Sequence, residues 1–111
     1  MNVQILSPGE IIDEFASSKP IVLFTRTRCP PCKKLKAALK TFKLTDKDYL
    51  EIDLEKRTDL PGKEIHEEFA KRYRTRYTPK LFIGGKFVGG KESLELFRNG
   101  TLATLVKKAL A

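Results

Sequence analysis

Tryptophan is absent from this chain, histidine and methionine occur once each, and cysteine occurs twice. Two cysteines cannot build the disulfide framework of a small secreted domain, so a reducing compartment is expected, with the cytoplasm as the default location. Cys29 and Cys32 leave His66 as the only further Cys or His ligand, short of the four a structural zinc site needs, and no metal is expected. No apolar segment approaches the ~20 residues that span a bilayer, and no membrane association is expected. The opening MNVQILSPGEIIDEF lacks a basic segment followed by a long apolar run, so no secretory signal is expected. Internal repeats, linkers and low-complexity tracts are missing too.

One charge sign is in short supply: 14 acidic residues face 22 basic ones, a formal net charge of +8. A basic domain attracts phosphates. Yet there is no RNP-like aromatic motif, no zinc-finger pattern and no dense Lys/Arg run, so no nucleic acid partner is expected. A solvated basic surface or a small anionic ligand accounts for the charge.

What is present fits one domain over residues 1–111, long enough to bury roughly two thirds of its unfolded surface without staples. Ser7-Pro8-Gly9-Glu10 has the S-x-x-E capping pattern, with Pro at the first helical position. Ile11, Ile12 and Phe15 follow at helical spacing, predicting a helix over about 8–17. The continuous apolar run Pro20 to Thr25 suits a buried strand. Leu35, Ala38, Leu39 and Phe42 predict a helix from the cysteines to about residue 43, and Tyr49 to Leu54 a second strand. Ile65, Phe69 and Tyr73 mark a third helix after Pro61-Gly62. Lys80 to Ile83 and Lys86 to Val88 flank Gly84-Gly85, a hairpin signal. Two helical patterns end the chain. The order α-β-α-β-α-β-β-α-α is that of an α/β fold: one small mixed sheet with helices on both faces.

The two cysteines sit in TRCPPCKK, at the strand-to-helix turn of the βαβ unit, which is a redox context rather than a metal one. With Cys29 as N-cap, Pro30 and Pro31 occupy positions whose N–H groups lack intrahelical acceptors, and their φ is already helical. Pro31 removes one capping donor, leaving the Cys32 N–H as the main backbone partner for the Cys29 sulfur. Lys33 and Lys34 oppose the helix macrodipole, at a cost of about 0.3–1 kcal/mol each when exposed. From 26 to 36 there are five basic residues, where the average of 22 in 111 predicts about two. Gathered around one reactive group, they favour thiolate over thiol and draw in an anionic co-substrate. A Pro-Pro helix start flanked by Arg and Lys is a poor place for two inert buried cysteines.

Three separated segments then coincide: Phe24-Thr25-Arg26-Thr27-Arg28-Cys29-Pro30-Pro31-Cys32, Tyr77-Thr78-Pro79, and Phe82-Ile83-Gly84-Gly85-Lys86-Phe87-Val88-Gly89-Gly90. Together they resemble glutaredoxins from about residue 10 to the C-terminus. The resemblance implies the thioredoxin fold, a four-stranded mixed sheet flanked by helices. A thioredoxin proper would usually carry Trp-Cys-Gly-Pro-Cys, whereas here Arg28 precedes the first cysteine and the Gly-Gly pair opens the next helix. The implied activity is glutathione-dependent thiol–disulfide exchange on glutathionylated or disulfide-bonded proteins, by a monomer with no tightly bound cofactor. Cys29 would be the nucleophile and Cys32 the resolving thiol. A second reading is an iron–sulfur carrier of the same family, against which the stiff, donor-less Pro31 argues.

The resemblance also implies a glutathione site. Arg26 and Arg76 would face the glycine carboxylate, with Arg28 beside the cysteine. Thr78 would pair its backbone with the cysteinyl part, next to Pro79 as the family's cis-proline. Gly90 would let the ligand approach the next helix, where the N–H groups of Lys91, Glu92 and Ser93 would receive the γ-glutamyl carboxylate; otherwise Gly89-Gly90 is an ordinary turn. His66 aligns with a glutathione-touching position or is a surface histidine. Three departures stand out: Pro31 replaces a common tyrosine, Tyr77 stands where threonine is usual and would offer glutathione its ring as an alternative contact, and Glu92 would repel the very carboxylate expected there.

Overall fold

The computed structural model describes residues 5–111; the first four residues of the stretch read for a secretory signal lie outside the described residues. Helix α1 (Pro8–Ser18) starts as the capping pattern predicts: the Glu10 N–H donates to Ser7 Oγ at 3.1 Å, and the Ser7 N–H donates to Glu10 Oε1 at 2.9 Å. Strand β1 (Ile21–Thr25) is buried at every position. Helix α2 (Pro30–Lys40) stops three residues short of the expected end. There the backbone tightens into three-residue bonds, Phe42 N–H to Leu39 O and Lys43 N–H to Lys40 O, and Lys43 turns left-handed at φ 54°. Phe42, half-buried, nevertheless packs against the core, edge-on to Phe97 at 6.1 Å.

Next come β2 (Tyr49–Asp53), α3 (Gly62–Tyr73), β3 (Lys80–Ile83), β4 (Lys86–Gly89), α4 (Ser93–Arg98) and α5 (Thr101–Leu110). Gly84 and Gly85 both have positive φ (61° and 79°), which a two-residue hairpin turn between β3 and β4 requires. Among the described residues no helix is long and apolar enough to cross a membrane.

The sheet order is β2-β1-β3-β4, with β1 parallel to β2 and antiparallel to β3, and β3 antiparallel to β4. Alternate β1 side chains face opposite layers. Val22 and Phe24 join a core under α1 and α3; Ile21 and Leu23 join another under α2 and α5. Phe24 is the hub of the first, edge-on to Phe15, Phe69 and Phe82 at 6.3, 5.3 and 5.7 Å. The strand directions have a consequence for function. The end of β1, the start of β3 and the end of β4 lie at one edge of the sheet, so the segments 26–29, 75–79 and 90–92 converge there.

Candidate active site

Cys29 caps α2 with extended backbone, and the prolines fill the first two helical positions. The Cys32 N–H donates to Cys29 Sγ at 3.3 Å, the one backbone bond that the proline pattern left available. Cys29 and Cys32 are joined as a disulfide, Sγ to Sγ 2.12 Å. Contrary to the expectation that this helix start would not bury them, the residues are only 2% and 1% exposed. The loop before β3 covers them: Cys29 Sγ lies 3.6 Å from the Thr78 carbonyl oxygen and accepts from Thr78 Oγ1 at 3.6 Å. Cys29 still borders a cleft of about 390 Å³, shared with Arg26, Pro31, Thr78, Gly90 and Glu92. The sulfur a partner would attack is therefore reached from one side only.

The Thr78–Pro79 peptide is cis. Thr78 is buried beside Cys29, and Tyr77, 65% exposed, stands at the rim. A smaller cleft of about 260 Å³ brings together Arg26, His66, Arg76 and Tyr77. His66 Nδ1 lies 2.7 Å from the Arg76 carbonyl oxygen, which can only accept, so Nδ1 carries the proton in this bond. That bond fastens α3 to the segment before β3 and sets His66 beside the two arginines. Arg26 and Tyr77 border both clefts, which makes them one groove running past Cys29.

Two expected placements are corrected. Arg28 borders neither cleft, because the backbone bends at Thr27–Arg28 and leaves it exposed. The helix-start donors after Gly90 are not all open. Helix α4 begins only at Ser93, whose N–H already donates to the Gly90 carbonyl at 2.9 Å. The Ser93 side chain is 0% exposed, turned inward where its hydroxyl has no partner among the described residues. Glu92 folds back so that Oε1 accepts from the Gly90 N–H at 2.7 Å. That bond, more than the charges of Lys80 and Lys91, holds the Glu92 carboxyl below its ordinary range. A Cβ on Gly90 would crowd the Pro79 carbonyl oxygen at 3.1 Å, so a side chain there would have to push that carbonyl back by a few tenths of an ångström. The basic cluster is also dispersed: Lys36 pairs with Glu51 at 3.2 Å, on the side of α2 that faces β2.

Sequence reasoning missed Lys80. It opens β3 immediately after the cis-proline, is 2% exposed, and borders the cleft. Its Nζ donates to Thr75 Oγ1 at 2.8 Å and to the Tyr77 carbonyl at 2.6 Å, and stands 5.8 Å from the Phe69 ring centroid. Burial pulls its pKa down, and the Glu92 charge opposes this. The available signal was a lone charge at the head of the apolar run KLFI. Tyr73 and Phe87, stacked at 3.8 Å, add an apolar wall to the same cleft. Among the described residues no group of three or more His, Cys, Asp or Glu is arranged to hold a metal ion.

Comparison with known proteins bears on this geometry. Residues 21–88 match the family model described as glutaredoxin. A monothiol glutaredoxin of Caenorhabditis elegans, itself uncharacterized, is 36% identical over 104 residues, covering 92% of this chain and 67% of the relative. A glutaredoxin of Solanum lycopersicum is 35% identical over 97 residues, covering 86% and 85%. Among solved structures, a buckwheat glutaredoxin–glutathione complex superposes with a TM-score of 0.81 at 28% identity, covering 94% of this chain and 91% of that one. The holo form of glutaredoxin C1 from Populus tremula x tremuloides also gives 0.81 at 28% identity, covering 92% and 97%.

Proposed function

Because the chain belongs to the glutaredoxin family, and is thereby a thiol–disulfide oxidoreductase, we propose that glutathione is its co-substrate and that glutathionylated and disulfide-bonded proteins are its targets. The observation that carries this reading is the Cys29–Cys32 pair at the head of α2, opening onto a groove bounded by the Thr78 backbone. A tripeptide laid in that groove pairs with the segment before β3 as an added strand, with its sulfur against Cys29. Arg26 and Arg76, with His66 and Tyr77, receive the glycine carboxylate at one end. The likeness to the buckwheat glutaredoxin solved with glutathione supports the choice of ligand.

The Cys29 thiolate attacks the glutathionyl sulfur of a mixed disulfide; that disulfide breaks, and the target thiolate leaves and takes a proton. A second glutathione thiolate then attacks the sulfur now bonded to Cys29, forming oxidised glutathione and restoring the Cys29 thiolate. On a protein disulfide, Cys32 displaces the mixed intermediate to close Cys29–Cys32, and two glutathiones reopen it. The helix N-terminus, the Cys32 N–H and the Thr78 hydroxyl all favour negative charge on Cys29 Sγ.

Two variants and one comparison of reductants test the scheme. Cys29→Ser should abolish turnover of a glutathionylated peptide with glutathione, whereas Cys32→Ser should retain it and lose only the reduction of protein disulfides. Loss of both reactions in Cys32→Ser would reject the one-cysteine route. Faster reduction by a thioredoxin-reductase system than by glutathione would reject glutathione as the co-substrate.

A further inference from the structure

Lys80 has unused binding capacity. An ammonium carries three donors, and two of them serve Thr75 Oγ1 and the Tyr77 carbonyl. No acceptor takes the third among the described residues. The ion pairs there join Lys36 to Glu51, Arg57 to Asp59, Arg72 to Asp13 and Glu68, and Arg98 to Glu95, so Lys80 has no carboxylate of its own. A buried charge is stable only when polar partners surround it, and a cleft-facing one without a counter-ion favours an anionic ligand. Glu92, across the same cleft, is held back by the Gly90 N–H instead of reaching Lys80.

The groove past Cys29 therefore has a cationic end at Arg26 and Arg76. Glu92, a fixed anion, borders the cleft past Cys29, and Lys80, anchored to Thr75 and the Tyr77 carbonyl, lines that same cleft. Glutathione matches this order. Its glycine end is a carboxylate, and its γ-glutamyl end carries an ammonium and a carboxylate on one carbon. The backbone donors that would otherwise take the second carboxylate are partly closed, since the Ser93 N–H serves Gly90 O and the Gly90 N–H serves Glu92. We propose that Lys80 is a specificity-determining residue that receives the γ-glutamyl α-carboxylate, while the Glu92 carboxylate faces the adjacent α-ammonium. This rests on glutathione being the co-substrate. The Tyr73–Phe87 wall excludes water from the contact on one side and strengthens it.

The test compares glutathione with two analogues, one amidated at the γ-glutamyl α-carboxylate and one amidated at the glycine carboxylate. Wild-type kcat/KM should fall by roughly tenfold or more for the first analogue, the scale of one charged hydrogen bond. Lys80→Gln should shrink that gap severalfold, through KM rather than kcat, and leave the penalty for the glycine amide intact. Lys80→Arg should restore most of the gap. An undiminished gap in Lys80→Gln overturns the proposal. Should Lys80→Gln fail to fold, NMR of the wild-type Lys80 Nζ decides instead. The signal should move on adding S-methylglutathione and stay put with its α-amide; no movement, or equal movement, overturns the proposal. Failure of the underlying reading looks different: wild type would then show no turnover with glutathione itself.

Discussion

The Tyr49 hydroxyl is sealed in protein without a hydrogen-bond partner among the described residues. A buried donor left unmatched costs about 1–3 kcal/mol, so Tyr49→Phe should raise stability by about 1 kcal/mol in urea denaturation. Burial, with the Glu51 charge adding to it, also pushes the Tyr49 pKa up. A raised folded-state pKa leaves stability intact below the unfolded value of about 10 and erodes it as pH climbs beyond that value. The advantage of the phenylalanine variant should thus widen between about pH 10 and 11. A variant less stable than wild type at neutral pH would mean the hydroxyl has found a partner. Residue type and spacing made Cys29 and Cys32 legible at this scale, because the chemistry of a thiol at a helix start depends on its nearest neighbours in sequence. Lys80 was not legible: nothing local says that a lysine heading a strand will be drawn under Phe69 and Tyr77.

Helices end where the backbone allows it, and α3 ends at a strained residue. Arg74 is its C-cap at φ 70°, in the left-handed region, with its N–H bonded to Ala70 O at 3.0 Å. Left-handed backbone costs a non-glycine residue about 1–2 kcal/mol, and glycine gives part of that back as unfolded-chain entropy. Arg74→Gly should therefore stabilise by about 0.5 kcal/mol, raising the urea midpoint at constant m, while Arg74→Ala should not. Equal midpoints for the two variants would mean the strain is already relaxed. Starts were read from the sequence better than ends. Ser7-Pro8 and Cys29-Pro30 mark their helices by side-chain capping and fixed φ, both properties of the residues themselves. The end of α2 was missed because Phe42 keeps helical spacing and packs on Phe97, although its backbone has already left the helix.

At the scale of the whole molecule, stability and site share one strand. Phe24 is fully buried, its ring meets three others, and it lies two residues before Arg26 and five before Cys29. Phe24→Ala should cost about 3–5 kcal/mol, a large share of the 5–15 kcal/mol typical of a domain. A loss below about 1 kcal/mol would mean that the aromatic layer collapses into the gap. The site has no such concentration. It is assembled from the ends of β1, β3 and β4, and its lining spans Arg26 to Glu92.

The amino-acid sequence alone determined the order of the elements, the burial of β1, the glycine turn between β3 and β4, and the position of the redox pair. Each follows from short-range physics: side-chain periodicity, φ preferences and unpaired N–H groups at a helix start. Tertiary structure decided which charges meet the groove. It turned Arg28 away, tied Lys36 to Glu51, closed the Ser93 N–H and set Lys80 against the same cleft as Cys29. Those outcomes depend on strand direction and on competition among donors and acceptors far apart in sequence, which no local pattern encodes.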